Sequence, residues 1–163
     1  MKVGILIGSA SDLDMVKDSL GILKEFEVPF ILEVTSAHRT PGRTVELIRK
    51  FEDRGAEVLI AVAGKAAHLG GFIAAHTILP VIGVPVEGGS LGGMDSLLST
   101  VQMPRGVPVA CMSLGKAGAA NAMILAIQIL SLKDKNLKNK LQAYRKKMEF
   151  QVKESSEKIQ KDL

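Results

Sequence analysis

The sequence contains no tryptophan, one tyrosine and one cysteine in 163 residues, and aromatic residues make up 4% of it. A single thiol, Cys111, can form no intramolecular disulfide and offers no metal-ligand spacing, which fits a reducing compartment and argues against redox chemistry. Its place between Ala110 and Met112 in an apolar run reads as a small buried hydrophobe rather than a nucleophile. The three histidines are not at ligand spacing and no acidic cluster joins them, so no metal is expected. No long apolar run is present, and Met1 to Ile7 shows no basic n-region or small-residue cleavage site. The reading is a cytoplasmic protein with no membrane span.

A strong single-sign charge is also missing. The net charge of +4 arises at one end: residues 133–163 hold ten Lys/Arg against five Asp/Glu, or +5, leaving 11 against 12, or −1, for the other 132. A basic excess on one terminal helical stretch, mixed with Glu and almost free of aromatics, is a solvated face rather than a phosphate-tracking groove. No nucleic-acid partner is expected.

What is present suffices for one core: 47% of the residues are hydrophobic, in a chain too short for two ordinary domains. We read a single domain, 1–163, with an α/β core over 1–132 and a C-terminal helix over 133–163. Short apolar, β-branched runs at Val3–Ile7, Phe30–Thr35, Val58–Ala63, Val81–Val84 and Val107–Met112 suit strands buried on both faces. Helical patterns lie between them. Leu13, Val16, Leu20 and Leu23 share one face; Val45, Ile48 and Phe51 share another, with Thr40 as N-cap, Pro41 in the first turn and Gly55 as the stop. Further helices are expected over about 67–77, 93–101 and 117–130. This alternation predicts parallel strands with right-handed crossovers, hence a three-layer α/β/α sandwich. From 137 to 159, Leu137, Leu141, Tyr144, Met148, Val152 and Ile159 form an amphipathic stripe on a domain already complete. It is expected to bury itself on a neighbouring subunit, making a homo-oligomer; folding back on its own domain is the alternative.

In an open parallel sheet, ligands bind beyond the carboxyl ends of the strands. Five small, polar or glycine-rich loops fall there: Gly8–Asp12, Ser36–Thr40, Gly64–His68, Pro85–Gly93 and Ser113–Gly118. Ser9, Ser11 and Asp12 offer hydroxyls and free backbone N–H groups at a helix start, a setting for a phosphate dianion, although Ser11 or Asp12 as a plain N-cap is the other reading. Arg39 either completes that anion site in bidentate fashion or makes a surface salt bridge. His38, an imidazole in a loop between Ser36 and Arg39, is the expected acid–base residue. His68 lines the pocket, orients a ligand or caps its helix, and the sequence leaves the three open. Lys65 is either a ligand contact or a solvated charge. His76, deeper in its helix, is taken as structural.

A dinucleotide site would require GxGxxG after the first strand, where GSASD stands, and an acidic residue ending the second. A phospho-acceptor receiver would require an aspartate where Ala63-Gly64 stands. A flavin-binding electron carrier remains the rival from another class, since a phosphate loop suits it, yet the chain has little to stack an isoalloxazine ring.

Six motifs in order, GSASD at 8–12, SAHRTP at 36–41, AGKAAHLGG at 63–71, PVIGVPV at 80–86, DSLLSTVQMPRGVPVA at 95–110 and GKAGAANA at 115–122, resemble the PurE family. These are the aminoimidazole ribonucleotide carboxylases and mutases of purine synthesis. The resemblance implies a flavodoxin-like sandwich assembled as an octamer, with the C-terminal helix reaching over a neighbour. It implies a substrate phosphate against Ser9, Ser11 and Arg39 and a ribose near Asp12. The aminoimidazole would lie by Ser36, His38 and the Ala63–Gly64 backbone, in the loop that continues through Lys65 and Ala66, with His68 and Leu69 closing a carboxylate pocket. In the implied reaction the N5-carboxylate leaves as CO2, the trapped CO2 is attacked by C4, and His38 removes the C4 proton, with no metal or organic cofactor. SAHR and AAHL are similar to the N5-carboxyaminoimidazole ribonucleotide mutase branch; the alternative is the branch that uses free CO2. Lys65 stands where mutases usually carry glycine, and Gly70 where they carry proline.

Overall fold

The computed structural model describes residues 1–162; Leu163, the end of the expected terminal segment, lies outside the described residues. Five parallel strands, β1 (Val3–Ile7), β2 (Phe30–Val34), β3 (Val58–Ala63), β4 (Val81–Pro85) and β5 (Ala110–Cys111), stand in the order β2-β1-β3-β4-β5. The order reverses between β1 and β3, which pair in register from Val3 opposite Val58 to Ile7 opposite Val62. This is the flavodoxin-like doubly wound arrangement, with its switch point at the carboxyl ends of β1 and β3.

The helices are α1 (Leu13–Val16), α2 (Leu20–Glu25), α3 (Pro41–Asp53), α4 (Leu69–Ala74), α5 (Met94–Val101), α6 (Gly115–Ser131) and α7 (Lys135–Asp162). Strand side chains alternate in direction, so each buried strand feeds two cores. Val3, Ile5, Ile7, Ile60, Val62 and Ile82 pack with Val16 and Leu23 of α1 and α2 and Met123 and Ile127 of α6. On the opposite face Leu6, Leu59 and Ala61 pack with Leu47, Ile48 and Phe51 of α3 and Leu69 and Ile73 of α4. α5 covers the same side near β4, where a Cβ on Gly83 would fall 2.4 Å from Thr100 Cγ2. Gly4 serves α3 in the same way: a Cβ there would lie 2.3 Å from Phe51 Cδ2, so the missing side chain lets the phenyl ring lie against β1.

Several expectations are corrected. The first helix is broken: after a 3-10 turn at Ala10–Asp12, α1 and α2 are separated by the tighter bonds Gly21 N–H to Asp18 O (3.2 Å) and Ile22 N–H to Ser19 O (3.0 Å). In α1, directly after the 3-10 turn, Met15 and Val16 are buried and Leu13 is 40% exposed. In α3 the buried face is Thr44, Leu47, Ile48 and Phe51, with Val45 at its margin. α4 is shorter than 67–77 because residues 65–68 form a tight turn, with Ala67 N–H to Lys65 O and His68 N–H to Ala66 O both at 2.8 Å. β5 keeps two of the six residues expected, since Pro108 has no N–H to give a ladder. β2 and β5 are edge strands and only partly buried, unlike the three between them.

α7 runs for 28 residues, about 42 Å at 1.5 Å per residue. Its first turns dock on the chain's own core through Leu137, Leu141 and Tyr144, whose ring meets Phe26 edge-on at 5.7 Å. Lys140 pairs with Glu27. Met148, Phe150, Val152 and Ile159 further along are exposed.

Candidate active site

Four of the five strand-end loops enclose one cleft of about 360 Å³. The first wall is Gly8, Ser9, Ser11 and Asp12. Ser9 caps the 3-10 turn, and its Oγ accepts from the Ser11 N–H (3.3 Å) and the Ser11 hydroxyl (2.9 Å). Since only a 3-10 turn and a four-residue α1 follow, the hydroxyls and backbone N–H groups expected here stand with little helix dipole behind them. Asp12 is half-buried, and desolvation pushes its carboxyl pKa above the usual range against the lowering effect of hydrogen bonds from the Ser9 backbone and Ser11 hydroxyl.

The second wall, Ser36 to Arg39, is a closed turn. The Thr40 hydroxyl donates to Ser36 O (3.0 Å) and accepts from the Ser36 N–H (3.2 Å), while Ser36 Oγ accepts from the Arg39 N–H (3.2 Å). Thr40 is therefore at the N-cap position of α3 but spends its hydroxyl on the loop rather than on the helix. Beneath it the buried hydroxyls of Thr35 and Thr44 lie 2.8 Å apart. Ala37, His38 and Arg39 are thereby presented to the cleft.

The third wall is Ala63, Gly64, Lys65, Ala66 and Leu69. Lys65 holds φ +56°, a left-handed conformation uncommon for a side chain other than Asn or Asp. His68, at the N-cap position of α4, makes no side-chain cap bond and is not part of the cleft wall. It reaches the site through His38: its Nδ1 lies 3.0 Å from His38 Nε2, with the two rings perpendicular and their centres 5.1 Å apart.

The fourth wall, Val86, Glu87, Gly88 and Gly89, includes one chemically active group that sequence reasoning passed over. The loop Pro85–Gly93 is seen to fall at the right edge, but its glycines drew attention away from Glu87. The fifth loop backs this wall instead of lining the cleft: a Cβ on Gly115 would stand 2.7 Å from Glu87 Oε2. Among the described residues Arg39, Lys65 and Glu87 make no salt bridge, so two cations and a carboxylate face the cleft uncommitted.

Outside the cleft, His76 Nδ1 lies 2.7 Å from Phe72 O within its own helical turn. Cys111 is half-buried in β5, and burial pushes its thiol up. Among the described residues no three His, Cys, Asp or Glu side chains gather as metal ligands, and no helix is long and apolar enough to cross a membrane.

The cleft thus gathers hydroxyls and a guanidinium suited to a phosphate with an imidazole suited to proton transfer. Comparison with known proteins places it. Residues 2–151 match the family described as AIR carboxylase. The N5-carboxyaminoimidazole ribonucleotide mutase of Bacillus subtilis is 54% identical over 157 residues, covering 96% of this chain and 97% of that protein. The protein of the same name from Pyrococcus horikoshii is 50% identical over 158 residues, covering 97% and 88% respectively. The crystal structure of Treponema denticola PurE superimposes with a TM-score of 0.86 at 29% identity, over 96% of both chains. A family match spanning most of the sequence, together with relatives alike along nearly their whole length, makes this chain a member of the AIR carboxylase, or PurE, family.

Proposed function

We propose that the chain is an N5-carboxyaminoimidazole ribonucleotide mutase of purine biosynthesis, working in the cytoplasm. The observation that carries this reading is one cleft that gathers Ser9, Ser11 and Arg39, suited to a phosphate, with His38, suited to proton transfer, and the Ala63–Gly64 loop, in a chain whose relatives of that name are about half identical. Asp12 takes the ribose, Ser36 and Ala66 the ring surroundings, and Leu69 the far side of the carboxylate pocket. The N5–carboxylate bond breaks to release CO2 as N5 takes a proton from protonated His38. C4 then attacks the held CO2, forming a C–C bond, and loses its proton to His38. One proton is given and one taken, so the reaction needs proximity and exclusion of water rather than an external driving force.

Lys65 supports a second reading, a carboxylase that takes free CO2 onto the uncarboxylated ribonucleotide. An ammonium on the cleft wall stabilises a forming carboxylate from either source. For assembly, Met148, Val152 and Ile159 on the far part of α7 are exposed, which favours a neighbouring copy as their cover and the octamer of the family resemblance.

The deciding experiment follows C4-carboxylated product from two substrates in parallel, the N5-carboxylated ribonucleotide and the uncarboxylated one with bicarbonate, corrected for spontaneous decarboxylation. Turnover of the first alone is expected. Preference for the second would make the protein a CO2-using carboxylase, and no product from either would remove the proposal.

A further inference from the structure

We propose that Glu87 is a catalytic residue: its carboxylate accepts a hydrogen bond from N5 of the aminoimidazole and, with the Lys65 ammonium, forms a pair of opposite charges matched to the charge separation that arises when C4 attacks CO2. This rests on the reading above that C4 of an aminoimidazole is the carbon carboxylated, and it holds for either source of the CO2.

Three observations carry it. First, the fold delivers the two charges together. β3 and β4 pair in register as far as Ala63 opposite Pro85, and the Val86 N–H continues the ladder to Ala63 O at 2.9 Å. Lys65 and Glu87 are each the second residue beyond that last pair, on adjoining walls of the cleft. Second, among the described residues neither makes a salt bridge, with the other or with any third group. Third, Glu87 is exposed toward the cleft yet seated behind. Gly93 and Gly115 hold φ of +91° and +74°, and a Cβ on them would fall 2.8 Å from Glu87 Cα and 2.7 Å from its Oε2. The carboxylate therefore lies against the first residue of the 17-residue α6, whose first turn has no side-chain cap and favours an anion.

Ser9, Ser11 and Arg39 follow β1 and β2, whereas Lys65 and Glu87 follow β3 and β4. A ribonucleotide with its phosphate on the first group turns the rest of its length toward the second. The amino nitrogen is the only hydrogen-bond donor of the aminoimidazole ring, and a carboxylate is its natural acceptor. The lone pair of that nitrogen, delocalised through the ring, is what makes C4 nucleophilic. When C4 bonds to CO2 while still carrying its hydrogen, the ring takes a positive charge shared by N5, and the oxygens of the former CO2 take a negative one. Neither charge exists in the neutral ring and CO2. The Glu87 carboxylate at N5 and the Lys65 ammonium at the forming carboxylate therefore gain strength as the bond forms, which lowers the barrier rather than only tightening binding. His38 then takes the C4 proton and the ring is neutral again. Glu87 accepts a hydrogen bond throughout and moves no proton. In the N5-carboxylated substrate it stands against a like charge that Lys65 offsets, and this opposition ends when the C–N bond breaks.

The test uses the full-length chain as wild type, Glu87→Gln and Glu87→Ala. Two probes are bound by calorimetry: the uncarboxylated aminoimidazole ribonucleotide, and ribose 5-phosphate, which has no amine. Glutamine keeps an acceptor for the N5–H and removes the charge; alanine removes both. Glu87→Ala is expected to weaken the ribonucleotide by about 10-fold and to leave ribose 5-phosphate unchanged. In turnover of the N5-carboxylated ribonucleotide, Glu87→Gln is expected to lower kcat by about 10- to 100-fold with KM not raised, at or below the cost of losing one buried oxyanion donor because Glu87 is open to water. Equal weakening of both probes would move Glu87 to the ribose, undiminished ribonucleotide binding by Glu87→Ala would make it a solvated bystander, and an intact kcat in Glu87→Gln would remove the charge matching; each overturns the proposal. The binding comparison needs no turnover. Wild-type protein that forms no product from either substrate would remove the carboxylation reading, while the ratio of the two probes still decides the contact between Glu87 and the amine.

Discussion

Thr35 and Thr44, residues 3% and 0% exposed, share a hydroxyl–hydroxyl hydrogen bond of 2.8 Å that pins the end of β2 to the first turn of α3 beneath the His38 loop. Thr44→Val keeps the shape but leaves the Thr35 hydroxyl only its long contact to Thr40 Oγ1 (3.5 Å), which costs about 1–3 kcal/mol. The denaturation midpoint should fall with an unchanged m-value, and kcat should fall further than the unfolded fraction explains, because the turn that presents His38 loses its floor. A drop in midpoint with full kcat would confine the pair to stability.

His38→Asn should reduce turnover by at least about 100-fold, the lower range for losing a general acid–base group, while calorimetric binding of the ribonucleotide product stays measurable. Loss of binding together with turnover would assign His38 to substrate holding.

Lys65→Gly sets two effects against each other. The left-handed φ of +56° costs a non-glycine residue ~1–2 kcal/mol, whereas glycine returns about 0.4–1 kcal/mol of that through the freer unfolded chain. The first term is larger, so the variant should be more stable by about 0.5–1 kcal/mol, read as a raised melting temperature. With the ammonium gone from the cleft, any use of bicarbonate should shrink relative to the N5-carboxylated substrate; an unchanged ratio would make Lys65 a bystander.

Asp12 ties stability to pH in a definite direction. Desolvation raises its carboxyl pKa in the folded protein, so the native state holds the proton more tightly than the unfolded chain. Its contribution favours folding below the ordinary carboxylate pKa and is lost as pH rises through the elevated folded value. Asp12→Asn should therefore melt higher than wild type at neutral pH, with the gap closing in acid. A gap that is the same at every pH would trace the effect to packing instead.

The interior of the fold was legible because Ile5, Ile60 and Ile82 belong to strands buried on both faces, where every position must be apolar. At the sheet's edges that constraint lapses, and Pro108 cut β5 short in a run whose hydrophobicity promised more. Leu13 misled for a local reason: it is the first residue of α1, directly after a 3-10 turn that periodicity does not mark. Ser9, Ser11, Asp12, His38, Arg39 and Lys65 could be located because strand-end loops converge by topology. The His38–His68 contact could not, since it joins residues 30 apart in sequence through side-chain directions that no spacing encodes. Glu87 was hidden by its glycine-rich surroundings.

The two outer strands of the sheet have a consequence for association. β5 offers a two-residue ladder preceded by Pro108, and β2 carries Glu33, held by Arg43 (3.3 Å) and Lys50 (3.4 Å) of α3. A second copy joining at β5 would gain almost no backbone pairing, and one joining at β2 would have to dock beside fixed charges. Growth by strand addition, the route to fibrils, is thus discouraged at both rims, and helical surfaces are left as the places where copies of this chain can meet.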